Sequence, residues 1–224
     1  MAKKNLSEKE KLIEIYAHLY SHFGPQQWWP GDTPFEIAVG AILTQNTNWV
    51  NVEKAINNLK QRKCLNANRL HKMSHKKLAS LIRPAGYFNI KANRLKNFLD
   101  FLATNYKSSM HRMKSEDTNV LRERLLDVNG IGPETADSIL LYALDKTVFV
   151  IDAYTKRVLT RHTIAPESWG YHELQSIFHN NLAPDLQLFN EFHALFVMVG
   201  KDYCKPQPRC SGCPLNEIYI TSTI

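Results

Sequence analysis

From Leu125 to Leu144 the chain reads LLDVNGIGPETADSILLYAL, and this segment constrains the fold more than any other. Gly130 and Gly132 stand two residues apart, with apolar Ile131 between them and a helical pattern on either side. Glycine accepts backbone angles that other residues resist, and it lets a second chain come close. Pro133 then suits the first turn of a new helix. The pattern predicts that the chain doubles back as two helices joined by a tight turn, near residues 118–144. The start of the second helix turns backbone N–H groups outward, where a phosphate oxygen can bind. Contacts of that kind position a protein on a duplex without reading its sequence. A plain glycine turn between two packed helices has the same spelling, so the residues that follow decide between the two.

The rest of the chain is helical in pattern. Ser7 and Glu10 spell a capping box, and Leu12, Ile13, Tyr16, Leu19, Tyr20 and Phe23 recur at helical spacing until Gly24 and Pro25. After the loop GPQQWWPGD, Thr33 and Pro34 restart a helix, and FEIAVGAILTQ is apolar on nearly every side, as a central helix is. Further helices are predicted near 49–62, 74–82, 90–105, 118–127, 133–144, 153–162, 171–182 and 188–200. Only VFVI, before Asp152, has the look of a short strand. The expected fold class is all-α.

A net charge of +7 favours a polyanionic partner, though only weakly, since many basic proteins bind no nucleic acid. No apolar run is long enough to span a bilayer. The opening MAKKNLSEKEK lacks the apolar core of a signal peptide, so a cytoplasmic protein is expected, with no membrane partner and as a monomer.

The segment GIGPETA, followed by VIDAYTKRVLTR, resembles the helix-hairpin-helix and catalytic aspartate signature of the endonuclease III (HhH-GPD) superfamily of DNA glycosylases. GAILTQNT and PAGYFNIKANRL upstream, and GKDYC-x5-C-x2-CPL downstream, extend the likeness over most of the chain. The resemblance implies a two-lobed helical fold. Residues 28–145 would form the bundle carrying the hairpin, and residues 1–27 with 146–224 a second lobe ending in a cysteine-containing loop. A damaged base would enter the cleft between the lobes. The implied partner is double-stranded DNA with a damaged base, and Gly130, Ile131 and Gly132 are implied to contact it.

By the same resemblance Asp152 is the catalytic carboxylate. Breaking an N-glycosidic bond builds positive charge on the sugar, which a carboxylate stabilises while it orients or deprotonates a water. Asp152 also opens a helical pattern, so an N-cap role stands beside the catalytic one. Relatives that also cut the strand use a lysine in the second hairpin helix, which forms a Schiff base. Glu134 holds that position here and cannot form the imine, so abasic-site lyase activity is not expected. Lys146 and Lys156 lie nearby in sequence, but neither is at the motif position.

Trp28 and Trp29 share a loop, and Trp49 opens the helix after TQNT. Aromatic faces stack on bases and attract cationic ones. The pattern WWP…FE…GAILTQNT resembles the bacterial 3-methyladenine glycosylase branch, in which these positions line the base pocket; filling a core is the competing role of Trp28, Trp29 and Trp49. A flipped base leaves a gap in the stack. Gln45 and Tyr87 match the positions that probe the opened duplex, and Lys91, with Arg94 and Lys96, either meets phosphates or belongs to a solvated basic face.

Many members of the superfamily hold an iron–sulfur cluster on four cysteines spaced C-x6-C-x2-C-x5-C. Here Cys204, Cys210 and Cys213 have no fourth cysteine after them, and Tyr219 takes its place; Cys64 is a lone apolar residue. Four thiolates normally hold such a cluster. A cluster with an unusual ligand, a zinc and a metal-free relic all stay open, and no cofactor is required for the chemistry. Two other readings also stand. One is a bifunctional endonuclease III-like enzyme for oxidised pyrimidines, against which Glu134 and the paired tryptophans argue. The other is a non-catalytic hairpin DNA-binding protein, against which Asp152 argues.

Overall fold

The computed structural model describes residues 6–28, 31–216 and 218. Twelve α-helices appear among them: α1 Glu8–Phe23, α2 Pro34–Thr44, α3 Trp49–Gln61, α4 Ala67–Lys72, α5 His75–Leu81, α6 Phe88–Tyr106, α7 Met110–Lys114, α8 Thr118–Leu126, α9 Pro133–Ser138, α10 Ala153–Arg161, α11 Tyr171–Asn181 and α12 Leu186–Asp202. A 3-10 turn at Arg83–Ala85 precedes α6, and a π turn at Ile139–Ala143 follows α9. The fold is all-helical, with no strand among the described residues. None of these helices is long and apolar enough to cross a membrane. By internal contacts the chain divides into two units, Met1–Trp28 with Thr147–Ile224, and Trp29–Lys146.

In the first unit α1 begins as its sequence predicts. Glu10 N donates to Ser7 Oγ at 3.3 Å, and Ser7 N donates to Glu10 Oε2 at 2.8 Å. Leu12, Ile15 and Leu19 of α1 are buried. The core beside them is aromatic: Phe149 stacks on Phe178 at 3.6 Å, and Phe192 stacks on Phe196 at 4.8 Å. Burying each such ring stabilises the fold by about 1.5–3 kcal/mol. Helices α10 and α12 pack tightly where Gly200 faces the Tyr154 ring, in a space that a Cβ would fill.

The expected strand at VFVI does not form. Residues 146–152 are irregular, and side chains rather than a partner strand satisfy their backbone. Phe149 N donates to His179 Nε2 at 2.9 Å, Gln175 Nε2 donates to Phe149 O at 2.6 Å, and Ile151 N donates to the Tyr171 hydroxyl at 3.3 Å. Buried backbone groups need partners, and α11 supplies them here.

In the second unit α2 is the central helix, with Ile37, Ala38, Val39, Gly40, Ile42 and Leu43 buried. It packs against α3, α6 and the π turn. The single helix expected over 133–144 is α-helical only to Ser138 and then widens. Ile139 to Ala143 are all buried, and the wider turn places this largely apolar run, Tyr142 included, against the core.

Candidate DNA-contact hairpin and candidate active site

The hairpin consists of α8, the turn 127–132 and α9. Asp117 caps α8 through Asn119 N at 2.9 Å and Val120 N at 3.2 Å. A charge-assisted fork clamps the two helices: Arg122 Nε and Nη2 donate to Asp137 Oδ1 and Oδ2 at 2.6 and 2.9 Å, with Asp137 fully buried. In the turn, Ile131 N donates to Val128 O at 2.9 Å. Gly130 has φ +94°, and the aliphatic part of Arg94 fills the space where a Cβ would stand. Gly132 is the exposed N-cap of α9, in extended conformation, and Pro133 takes the first helical position.

Ile131, expected to face DNA, turns its side chain inward. Its side chain is 4% exposed and its N–H is committed within the turn, so it plugs the hairpin into the core. An apolar side chain between two glycines has only the core to enter. Glu134 is exposed in the first turn of α9. The two other lysines are occupied, Lys146 Nζ donating to Glu116 O at 2.7 Å and Lys156 Nζ to Trp169 O at 2.9 Å.

Gln45 ends α2 and reaches the hairpin directly. Its Nε2 donates to Gly130 O at 3.0 Å and to Thr135 Oγ1 at 2.9 Å, while Oε1 accepts from Arg94 Nη1 at 2.5 Å. These bonds make it a brace for the turn, and a role at an opened duplex requires that they be exchanged. Neither Thr135 nor the Arg94 contact could be read from the sequence, because both arise where α2, α6 and α9 meet.

Tyr87 is 68% exposed and precedes α6 in the left-handed conformation, with φ 44° and ψ 33°. Gly86 before it has φ +68°. Holding a non-glycine residue there costs about 1–2 kcal/mol, which the structure spends in presenting an aromatic ring to solvent.

Lys91 contradicts its expected role as a phosphate contact. It is 1% exposed, and its Nζ donates to Leu43 O and Ala85 O, both at 2.7 Å. The ammonium satisfies backbone carbonyls near the end of α2 and in the 3-10 turn, where no helical partner exists. Burial, and secondarily the neighbouring Arg94 charge, lower its pKa to about 8.

The tryptophans divide between the units. Trp28 belongs to the first and is half-buried, with Lys201 Nζ 5.5 Å above its ring. Trp49 belongs to the second, where its Nε1 donates to Glu53 Oε1 at 2.9 Å and its ring edge lies against Gly40. Trp29 lies outside the described residues.

Asp152 caps α10. Its Oδ1 accepts from Thr155 N at 2.7 Å, and its Oδ2 stands 3.7 Å from Nε2 of His193 on α12. The N-cap role is therefore real, and it fixes the carboxylate through one oxygen. His193 was not singled out in the sequence, because a histidine on the apolar face of a helix reads as core.

The cysteine loop is held by arginines. Arg161 Nη1 donates to Cys204 Sγ at 3.4 Å and to Lys205 O at 2.5 Å, and Arg157 Nε donates to Cys204 O at 2.6 Å. Burial pushes the Cys213 thiol up, and Cys204 and Cys210 add to that. Among the described residues no group of three or more His, Cys, Asp or Glu side chains is arranged to hold a metal, and Tyr219 lies outside them. Cys204, Cys210 and Cys213 as placed do not fit a four-thiolate cluster.

Residues 39–184 match the HhH-GPD superfamily of base excision DNA repair proteins. A Methanocaldococcus jannaschii protein, provisionally named as a DNA repair glycosylase, is 47% identical over 213 residues, 95% of this chain and 97% of that one. The structure of the H. pylori 3-methyladenine DNA glycosylase MagIII, bound to 1,N6-ethenoadenine, aligns with a TM-score of 0.75 at 32% identity, over 88% of this chain and 98% of that one. An endonuclease III in a trapped covalent DNA intermediate shares the fold, with a TM-score of 0.80 over 95% of each chain at 18% identity. The chain belongs to the HhH-GPD superfamily of base excision DNA repair proteins.

Proposed function

We propose that the protein is a DNA glycosylase that hydrolyses the N-glycosidic bond of an alkylated purine of the 3-methyladenine type in double-stranded DNA and leaves the strand uncut. The observation that carries this reading is Asp152, whose Oδ1 is fixed by the first turn of α10 while Oδ2 accepts no backbone donor of that helix. As the C1′–N bond breaks, the base leaves with the electron pair and the sugar gains positive charge, which the carboxylate stabilises. Water adds to C1′ and its proton passes to the carboxylate. A methylated purine that is already cationic departs as a neutral base, so no acid is needed to protonate it.

Absence of strand cleavage is supported by Glu134 at the lysine position and by the carbonyl bonds that occupy Lys146 and Lys156. Choice of base is supported by Trp28, whose ring already holds a cation over its face, and by 32% identity to a 3-methyladenine enzyme. A net charge of +7 and the hairpin support binding to duplex DNA. No cofactor is required for this chemistry.

The test is a panel of duplexes carrying 3-methyladenine, 7-methylguanine, hypoxanthine, uracil or an oxidised pyrimidine, each incubated with and without borohydride. Release of methylated purine with no trapped adduct is expected. Efficient borohydride trapping would refute the monofunctional reading, and excision confined to oxidised pyrimidine would refute the choice of base.

A further inference from the structure

The two oxygens of Asp152 are held differently. Thr155 N fixes Oδ1 at 2.7 Å, whereas the polar neighbour of Oδ2 is His193 Nε2 at 3.7 Å. His193 is buried, and the Phe149 ring lies edge-on to it at 6.5 Å. An apolar side chain would pack this crossing of α10 and α12 at least as well, because burying an imidazole costs desolvation that a leucine avoids. A polar ring kept there and turned toward a carboxylate calls for an electrostatic explanation.

We propose that His193 is a positioning residue for Asp152, its ring facing the second carboxylate oxygen and biasing its orientation electrostatically while positive charge grows on the sugar. The proposal rests on the reading of Asp152 as the reacting carboxylate. A separation of 3.7 Å is too long for a direct hydrogen bond, so the action is that of a nearby dipole or charge, which low-dielectric surroundings strengthen. Burial lowers the His193 pKa and Asp152 raises it in return, so the ring is mainly neutral near neutral pH.

Other titratable groups packed against this region meet different residues. Tyr16 of α1 touches Phe192, and His22 meets Tyr203. His179 of α11 stacks on Phe189, and Arg157 of α10 bonds to the carbonyls of Gly200 and Cys204. Among the described residues, Asp152 is a charged group that faces His193.

The test compares His193→Phe and His193→Gln in single-turnover excision, in affinity for damaged duplex and in melting temperature. His193→Phe is expected to lower the excision rate about tenfold, with affinity for damaged duplex unchanged within about twofold. His193→Gln keeps an N–H near Nε2 and is expected to restore most of the rate. If His193→Phe fails to fold, His193→Met is measured in its place, with the same expectation. An unchanged rate per folded enzyme, whatever the melting temperature, overturns the proposal, as does a Gln variant as slow as the Phe variant. An Asp152→Asn protein run alongside keeps the two readings apart. If it excises normally, the role of Asp152 falls; if it is inactive and His193→Phe behaves as wild type, only the role of His193 falls.

Discussion

Replacing Gly130 with alanine strikes the hairpin turn at its tightest point. With φ at +94°, any Cβ is strained, at about 1–2 kcal/mol. The new methyl would also occupy the space of the Arg94 side chain, which must withdraw. Withdrawal breaks the bond from Arg94 Nη1 to Gln45 Oε1, a charge-assisted contact of about 1.5–3 kcal/mol. Arg94 is half-buried and regains some hydration when displaced, so the lower end of that range applies. Together the effects come to about 2.5–4 kcal/mol, or a fall in melting temperature of about 5–16 °C for a protein of this length. Calorimetry measures that fall, and duplex binding at two salt concentrations shows whether the hairpin still grips. A double-mutant cycle with Arg94→Gly, which removes the nearest atoms the new methyl would meet, isolates the collision, since in that background Gly130→Ala should cost only the backbone strain of about 1–2 kcal/mol. A change in melting temperature below about 1 °C, with binding intact, would refute this account of the turn.

Three further outcomes are expected. The lowered pKa of Lys91 means that the unfolded chain binds more protons than the folded one between about pH 8 and 10.5; its contribution to stability is therefore flat below about 8 and rises above it, and urea titrations should show a rise that Lys91→Met abolishes. Arg122→Ala removes both charge-assisted bonds to buried Asp137 and should cost about 3–5 kcal/mol in chemical denaturation, far more than a surface arginine would. Tyr87→Ala should leave stability within about 0.5 kcal/mol, because the ring is exposed, yet reduce base opening as read by 2-aminopurine fluorescence opposite the lesion; unchanged fluorescence would remove Tyr87 from that step.

Local chemistry made much of this legible in advance. The capping box of α1, the all-round apolarity of α2 and the glycine turn each write their structure into a few adjacent residues. So does Asp152, whose N-cap position follows from an acidic side chain ahead of a helical pattern. What stayed hidden depends on residues far apart in the chain. Lys91 lies at a helical position where an ammonium ordinarily faces solvent, and only the carbonyls of Leu43 and Ala85, from two other elements, draw it inward. Val148 to Ile151 carry the composition of a strand, but the side chains of His179, Gln175 and Tyr171 take its backbone bonds. Gln45 was legible as a site residue, whereas its grip on Gly130 and Thr135 needed the packing of three helices. His193 was invisible for the same reason, since nothing near it in sequence points to Asp152.

The most direct test of the central claim is release of free base from a 3-methyladenine duplex by wild-type and Asp152→Asn protein under single-turnover conditions. Asparagine caps a helix as well as aspartate does, so folding and DNA binding should persist. The wild type should release 3-methyladenine and leave an uncut abasic strand, while the variant should bind the duplex and release it at least about a hundredfold more slowly. Release at the wild-type rate by the variant, or no release by the wild type, would contradict the account.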